Sequence, residues 1–406
     1  MEEYMKAASV ILFTAAILFC FGCGQDQNNA PIQKEAKQTA PGKPLTYSAE
    51  NKDGTLFVQN TAAAWGDEQK VKLELVKVIG GPDTTNPNLS FHKPTDLAVD
   101  TQGNLYVADS GNSRIQKLAP DGSFVASFGR KGQGPGEFQF LDGLLVDGAG
   151  KIYFTDKGTN AIKVLSPEGK ELGTGPSGRL IGKMALLSSG DLVLGTSSRN
   201  SHSLLSVFGP AGEVKLELGQ HERYEDEDSY RYFNRIAFTS DGSDNIYIAY
   251  ATRNKIEKYA PSGDLSLSIE RPLNFPISQE ITYEEHTMGP RKIPIPFVNF
   301  VSADITLDGR GRLWVLSYER QLKFEEMGLT MHFRDGDGRY EGAETLQTSE
   351  TTKIDAFAFH LFSPEGHFLG KIPLSHHAGD VKIFQDRLYV LESRHEMCIY
   401  AYRIIE

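Results

Sequence analysis

The residues best suited to chemistry are carboxylates and cations that recur at one place in a repeating pattern. Aligned on the glycine turn that follows each short apolar stretch, Asp96, Gly143, Lys183, Arg235, Asp304 and Asp380 fall at equivalent positions, with Asp142 beside Gly143. Asp96, Asp304 and Asp380 are the set a divalent cation would use, because a hard ion such as Ca²⁺ collects several oxygen ligands. Lys183 and Arg235 at the same level oppose that use, since fixed positive charge repels the ion. A second set ends the strands that follow: Asp109, Asp156, Thr196, Tyr250, Ser317 and Glu392, with Arg114, Arg199, Arg253, Arg320 and Arg394 in the next loops. Together the two sets describe a polar funnel for a carboxylated, phosphorylated or sugar-like ligand, because guanidinium forks match bidentate acceptors. The competing reading is local, with Asp109 and Asp156 accepting backbone N–H groups of their own turns and pairing with nearby arginines.

Other chemistries find little support. Asp335-Gly-Asp-Gly-Arg-Tyr-Glu341 lacks the third acidic ligand and the twelfth-position Glu of a calcium loop, so it reads as a solvated loop. His376 and His377 are adjacent, and neighbours on a strand face opposite ways, which disfavours chelation of one ion. The glycines of Gly132-Gln-Gly-Pro-Gly136 do not enter a helix and read as turn residues, and no nucleophile elbow is present. The chain holds 53 Asp and Glu against 42 Lys and Arg with no dense basic stripe, which argues against a nucleic-acid partner. No resident cofactor is expected, a divalent cation at the three aspartates being the one alternative.

The elements that must position these residues are short strands at a repeat of roughly 40 residues. Six second strands align: Leu105–Asp109, Ile152–Asp156, Leu192–Thr196, Ile246–Tyr250, Leu313–Ser317 and Leu388–Glu392. Third strands mostly end in Pro-X-Gly turns, at Pro120, Pro167, Pro210, Pro261 and Pro364. Four strands per repeat predict an all-β fold, a six-bladed β-propeller of four-stranded blades. The sixth repeat ends after its third strand, and the unassigned strand at Val71–Gly80 matches a fourth strand, so the ring should close through both chain ends. Insertions at Gln220–Tyr232, Arg271–Val298 and about Glu319–Lys353 should overhang the face that carries the funnel. Within them, Glu225–Asp228 reads as a solvated acidic run, and Pro290–Phe297 as an extended lid or spacer.

Pro94-Thr-Asp-Leu-Ala-Val-Asp100, Asn104 to Ile115 and Phe128 to Phe138 resemble the NHL repeat, closely in the first repeat and fairly in the second. The resemblance implies a six-bladed NHL-type propeller. At the N-terminus, Lys6 and the apolar stretch Ala7–Phe21 read as a secretory signal, with Met5 a better initiator than Met1. Cys20-Phe21-Gly22-Cys23 resembles a bacterial lipobox, which implies lipidation of Cys23. Domains are therefore expected as a signal peptide over 1–22, a flexible tether over 23–44, an accessory extended segment over 45–69 and the propeller over 70–406. After processing only Cys398 remains, so no disulfide framework supports the body.

The function expected is a monomeric, exported, lipid-anchored scaffold of the bacterial envelope that binds a protein, peptide or glycan without catalysis. The alternative is a metal-assisted lactonase- or lyase-like enzyme built on Asp96, Asp304 and Asp380. Fold alone does not separate them.

Overall fold

The computed structural model describes residues 46–177, 180–196, 201–288, 291–323, 326–327, 330–334, 340–345 and 354–406. The expected signal, Cys23 and the tether lie outside the described residues, as does Arg199. Six sheets are arranged as blades, and the innermost strands are Pro94–Val99, Leu141–Val146, Leu180–Leu186, Ile236–Ser240, Ser302–Leu307 and Asp380–Phe384. Within each blade the order follows the sequence, as in the first, where Pro94–Val99, Leu105–Asp109, Arg114–Leu118 and Phe124–Phe128 pair antiparallel.

Alternating apolar residues on both faces of each blade account for this stacking, since a blade has two neighbours and must bury both sides. Six apolar clusters result, one at each blade junction. The junction of blades two and three has the fewest fully buried members, Ile162, Met184, Leu192 and Leu194. There the chain substitutes backbone proximity for side-chain volume: a Cβ on Gly143 would fall 1.2 Å from the Gly182 carbonyl oxygen. Cys398 is buried and unpaired, so burial and hydrogen bonding hold the ring.

Three N-terminal strands lie outside the sequential order. β1 (Tyr47–Lys52) and β2 (Thr55–Asn60) form a hairpin, and β2 runs parallel to the outer strand Leu265–Glu270 of blade four. Residues 61–69 then cross blade five, with Ala64 and Trp65 N–H groups donating to the Phe368 and Leu369 carbonyls. Gly370 makes room for the Trp65 indole, whose Cε3 lies 2.8 Å from where a Cβ would sit. β3 (Lys72–Gly80) finally pairs with Cys398–Ile405, from Lys72 against Ile405 to Gly80 against Cys398, and completes blade six. One N-terminal segment thus ties together blades four, five and six.

The insertions differ from their sequence reading in one respect. The acidic run Glu225–Asp228 is not merely solvated: Asp226 caps α1 (Glu227–Phe233), its carboxylate accepting the Ser229 N–H at 2.7 Å. Strands Thr282–Met288 and Arg291–Phe297 form a hairpin, and Tyr283 donates to Asp228 at 2.8 Å, joining two insertions. Strands Thr330–Arg334 and Tyr340–Thr345 form another hairpin, while residues 335–339 of the calcium-loop lookalike lie outside the described residues.

Candidate functional site

The innermost strands carry a buried acid–base network into the central channel. Asp304 accepts the N–H of Ile305 at 2.8 Å and that of Val381, in the next blade, at 2.9 Å. Asp380 accepts Leu97 N–H of blade one at 3.0 Å, and Asp96 accepts Leu144 N–H of blade two at 2.7 Å. Each aspartate therefore laces its blade to the following one. Lys183 Nζ donates to Asp304 and, at 3.1 Å, to Asp380. Lys382 Nζ lies 3.3 Å from Asp380 and 3.6 Å from Asp96.

Burial and crowding divide the proton affinities of these carboxyls. Burial, followed by repulsion from Asp380, raises Asp96 well above the usual carboxylate range. Burial also raises Asp304 to about 6, against the attraction of Lys183. At Asp380 burial pushes the same way, but Lys382 and Lys183 outweigh it and hold the group below its ordinary value. The same carboxylates lift the Lys382 ammonium above the usual range despite its desolvation. The arrangement shares charge among five side chains and resembles an inter-blade fastening more than a poised catalytic dyad.

Above the network opens a cavity of about 530 Å³. Asp96, Asp142, Lys183, Arg235, Asp304 and Asp380 of the first set all line it, with Thr196 of the second, so seven of the expected residues meet at one site. The register corrects one equivalence, because Ala237, not Arg235, pairs with Ala249 at the level where Asp96 pairs with Ala108. Asp244 takes the left-handed conformation there (φ 62°) that Gly103 takes in blade one, so counting back from Gly242 slips by two residues. Arg235 still reaches the cavity from the blade entrance. Sequence reasoning missed Lys382, although the two-residue period of a strand puts it on the same face as Asp380. It also missed Lys157, Asn234 and the α1 residues Tyr230 and Arg231, which enter from loops with no repeat to align them.

Apart from Thr196, the described residues of the second set do not line this cavity. Asp109 and Asp156 are buried, accepting His92 N–H at 2.7 Å and Phe140 N–H at 3.0 Å respectively, with Arg114 and Lys163 beside them. Glu392 collects the N–H groups of Arg394, His395, Glu396 and Met397. Arg253 pairs with Glu222 at 2.7 Å, and Arg394 donates to the Met327 carbonyl. The local reading describes these residues: they shape turns. Among the described residues, no group of three or more His, Cys, Asp or Glu is arranged to hold a metal ion. The three aspartates spend their lone pairs on backbone N–H groups and on two ammonium groups.

The repeat that builds this channel can be compared with known proteins. Residues 91–118 match the NHL repeat family. The chain carries an NHL repeat in a six-bladed propeller. No curated protein sequence matches it. Among solved structures, a member of the DUF4221 family from Bacteroides vulgatus is similar with a TM-score of 0.54 at 8% identity, over 83% of this chain and 99% of that one. A Bacteroides fragilis protein taken to be exported is similar at 0.51 and 11% identity, over 83% and 96%. Virginiamycin B lyase from Staphylococcus aureus aligns at 0.44 and 13% identity, over 82% and 100%. At these identities the likeness of this propeller to the first two is one of fold.

Proposed function

We propose that this NHL propeller is an exported, lipid-anchored binding protein of the bacterial envelope, which holds a protein, peptide or glycan ligand in the funnel above its channel and does not transform it. The observation that carries this reading is the pairing on the funnel floor. Asp96, Asp304 and Asp380 are tied to backbone N–H groups and to Lys183 and Lys382, so none is left as a free base, nucleophile or cation ligand. A concave polar cavity flanked by loop insertions, on a rigid ring, is the usual setting for recognition. Among the described residues no helix is long and apolar enough to cross a membrane.

Two experiments test it. Mass spectrometry of the mature protein should find an acylated Cys23 at its N-terminus, and an unmodified residue retires the anchor. For the funnel, envelope-derived peptides and glycans are equilibrated with the full chain and with Ala303→Trp, which fills the cavity with an indole. Compounds retained by the wild type, lost from the variant and recovered unchanged support binding. Recovery of a chemically altered product overturns the non-catalytic reading.

A further inference from the structure

Floor and rim of the funnel differ in how their charge is matched. On the floor, Lys183 meets Asp304 and Asp380, Lys382 meets Asp96 and Asp380, and Lys157 meets Asp142 at 2.8 Å. On the rim, Glu227 is itself engaged. The guanidinium groups of Arg231 and Arg235, which line the same cavity, meet no carboxylate or carbonyl among the described residues. Both lie over aromatic rings instead, Arg231 over Tyr232 at 5.8 Å and Arg235 over Phe300 at 5.6 Å.

Those rings belong to an arc that runs from the blade-four insertion into blade five. Tyr232 and Phe300 are 6.1 Å apart, Phe300 stacks on Tyr318 at 5.7 Å, and Tyr318 meets Phe357 at 4.8 Å. A guanidinium set on a ring face keeps its N–H donors in its own plane, where they remain available to a partner approaching from the side. Arg231 also sits in the last turn of α1, where the helix dipole favours a cation, so Arg235 is the more diagnostic of the pair.

We propose that the funnel's ligand carries an anionic oxygen group, a carboxylate or a phosphate, taken by Arg235 and Arg231. This rests on the reading of the funnel as a ligand site. A planar fork pairs two oxygens of either anion at once, and the rings beneath hold the two guanidinium groups in place.

Ligand-observed NMR titration of the full chain with benzoate, phenyl phosphate and benzyl alcohol tests the proposal. Both anions should bind at least roughly tenfold more tightly than the alcohol, the worth of a charge-assisted hydrogen bond. The tighter anion identifies the group. Arg235→Ala should weaken the anions by on the order of tenfold and leave the alcohol unchanged, and Arg235→Lys, which keeps the charge but loses the fork, should restore only part of the loss. Arg235 is exposed, so these variants should fold. Anions that bind no better than the alcohol, or that ignore Arg235→Ala, overturn the inference. If Ala303→Trp weakens every probe while Arg235→Ala weakens none, the acidic ligand falls and the funnel stands. Probes indifferent to Ala303→Trp overturn the funnel reading itself.

Discussion

Three carboxyls in one buried channel raise an electrostatic cost that the chain meets partly by leaving protons on and partly by importing lysines. The two devices leave opposite marks on acid stability. Asp304, near 6 in the fold against about 3.9 when unfolded, lets the native state hold the extra proton in that window, so its contribution falls as pH rises from about 4 to about 6. His360, hidden beside Glu319, is pushed by burial down to about 4 from about 6.5, so the unfolded state holds the extra proton and stability rises with pH over that range. The two oppose each other, each worth on the order of 3 kcal/mol at most. Asp304→Asn should therefore steepen the loss of stability between pH 6.5 and about 4 relative to wild type, read by urea unfolding at several pH values. An unchanged slope would mean that Asp304 is ionised throughout. A second residue-scale expectation concerns Gly143, which stands where blades one, five and six place aspartate. Installing Asp there drives a side chain into the Gly182 carbonyl, so Gly143→Asp and even Gly143→Ala should lower the melting temperature by many degrees. The aspartates were legible in the sequence because a turn residue marks their distance. Of their pairings with Lys382, the one to Asp380 follows from the strand period, whereas the one to Asp96 did not show, because it joins the first and last blades where the ring closes.

At the scale of elements, the repeat was readable wherever glycine held the turn and slipped where another residue did. Asp244 in blade four and Gln385 in blade six take positive φ in place of glycine, and only the former misled the alignment, because Gly242 stood nearby. The attachment of β2 to blade four left no comparable trace, since its partners Leu267 to Glu270 lie some 210 residues away and strand patterning names a face, never a partner. One side chain fixes that attachment. Asn60 is buried, donates to the Glu270 and Gly366 carbonyls at 2.9 and 3.0 Å, and accepts the Phe368 N–H at 2.8 Å. It joins β2 to blade four and to blade five. Asn60→Ala orphans three backbone groups and should cost about 2–4 kcal/mol in equilibrium unfolding. Asn60→Asp keeps the acceptor, loses both donated bonds and buries a charge, so it should be at least as damaging. If either variant unfolds like wild type, the hairpin is an appendage and not part of the ring.

For the whole molecule, the question is what keeps a ring of six blades from opening when, among the described residues, no covalent link closes it. Closure rests on β3 against Cys398–Ile405, with Ile79 and Val71 buried in the clusters on either side of blade six. Without β3, the last strand becomes an edge whose unpaired N–H and C=O groups invite another chain. The N-terminal segment divides into two functions that truncation can separate. A chain beginning at residue 70 loses the hairpin and the crossing over blade five but keeps β3, and it should remain monomeric while unfolding at lower denaturant concentration. A chain beginning at residue 82 loses β3 as well. It should associate or precipitate, because exposed strand edges of identical subunits can complete one another. Size-exclusion chromatography with light scattering distinguishes the two. A monomeric, stable protein from residue 82 would show that five complete blades and a three-stranded sixth suffice, and that the hydrophobic junctions alone hold the ring. The funnel gives a second readout of the same event. Asp304, Asp380 and Asp96 lace blade five to six, six to one and one to two, so opening the ring at blade six should also separate Lys382 from Asp96 and abolish any binding that depends on the floor.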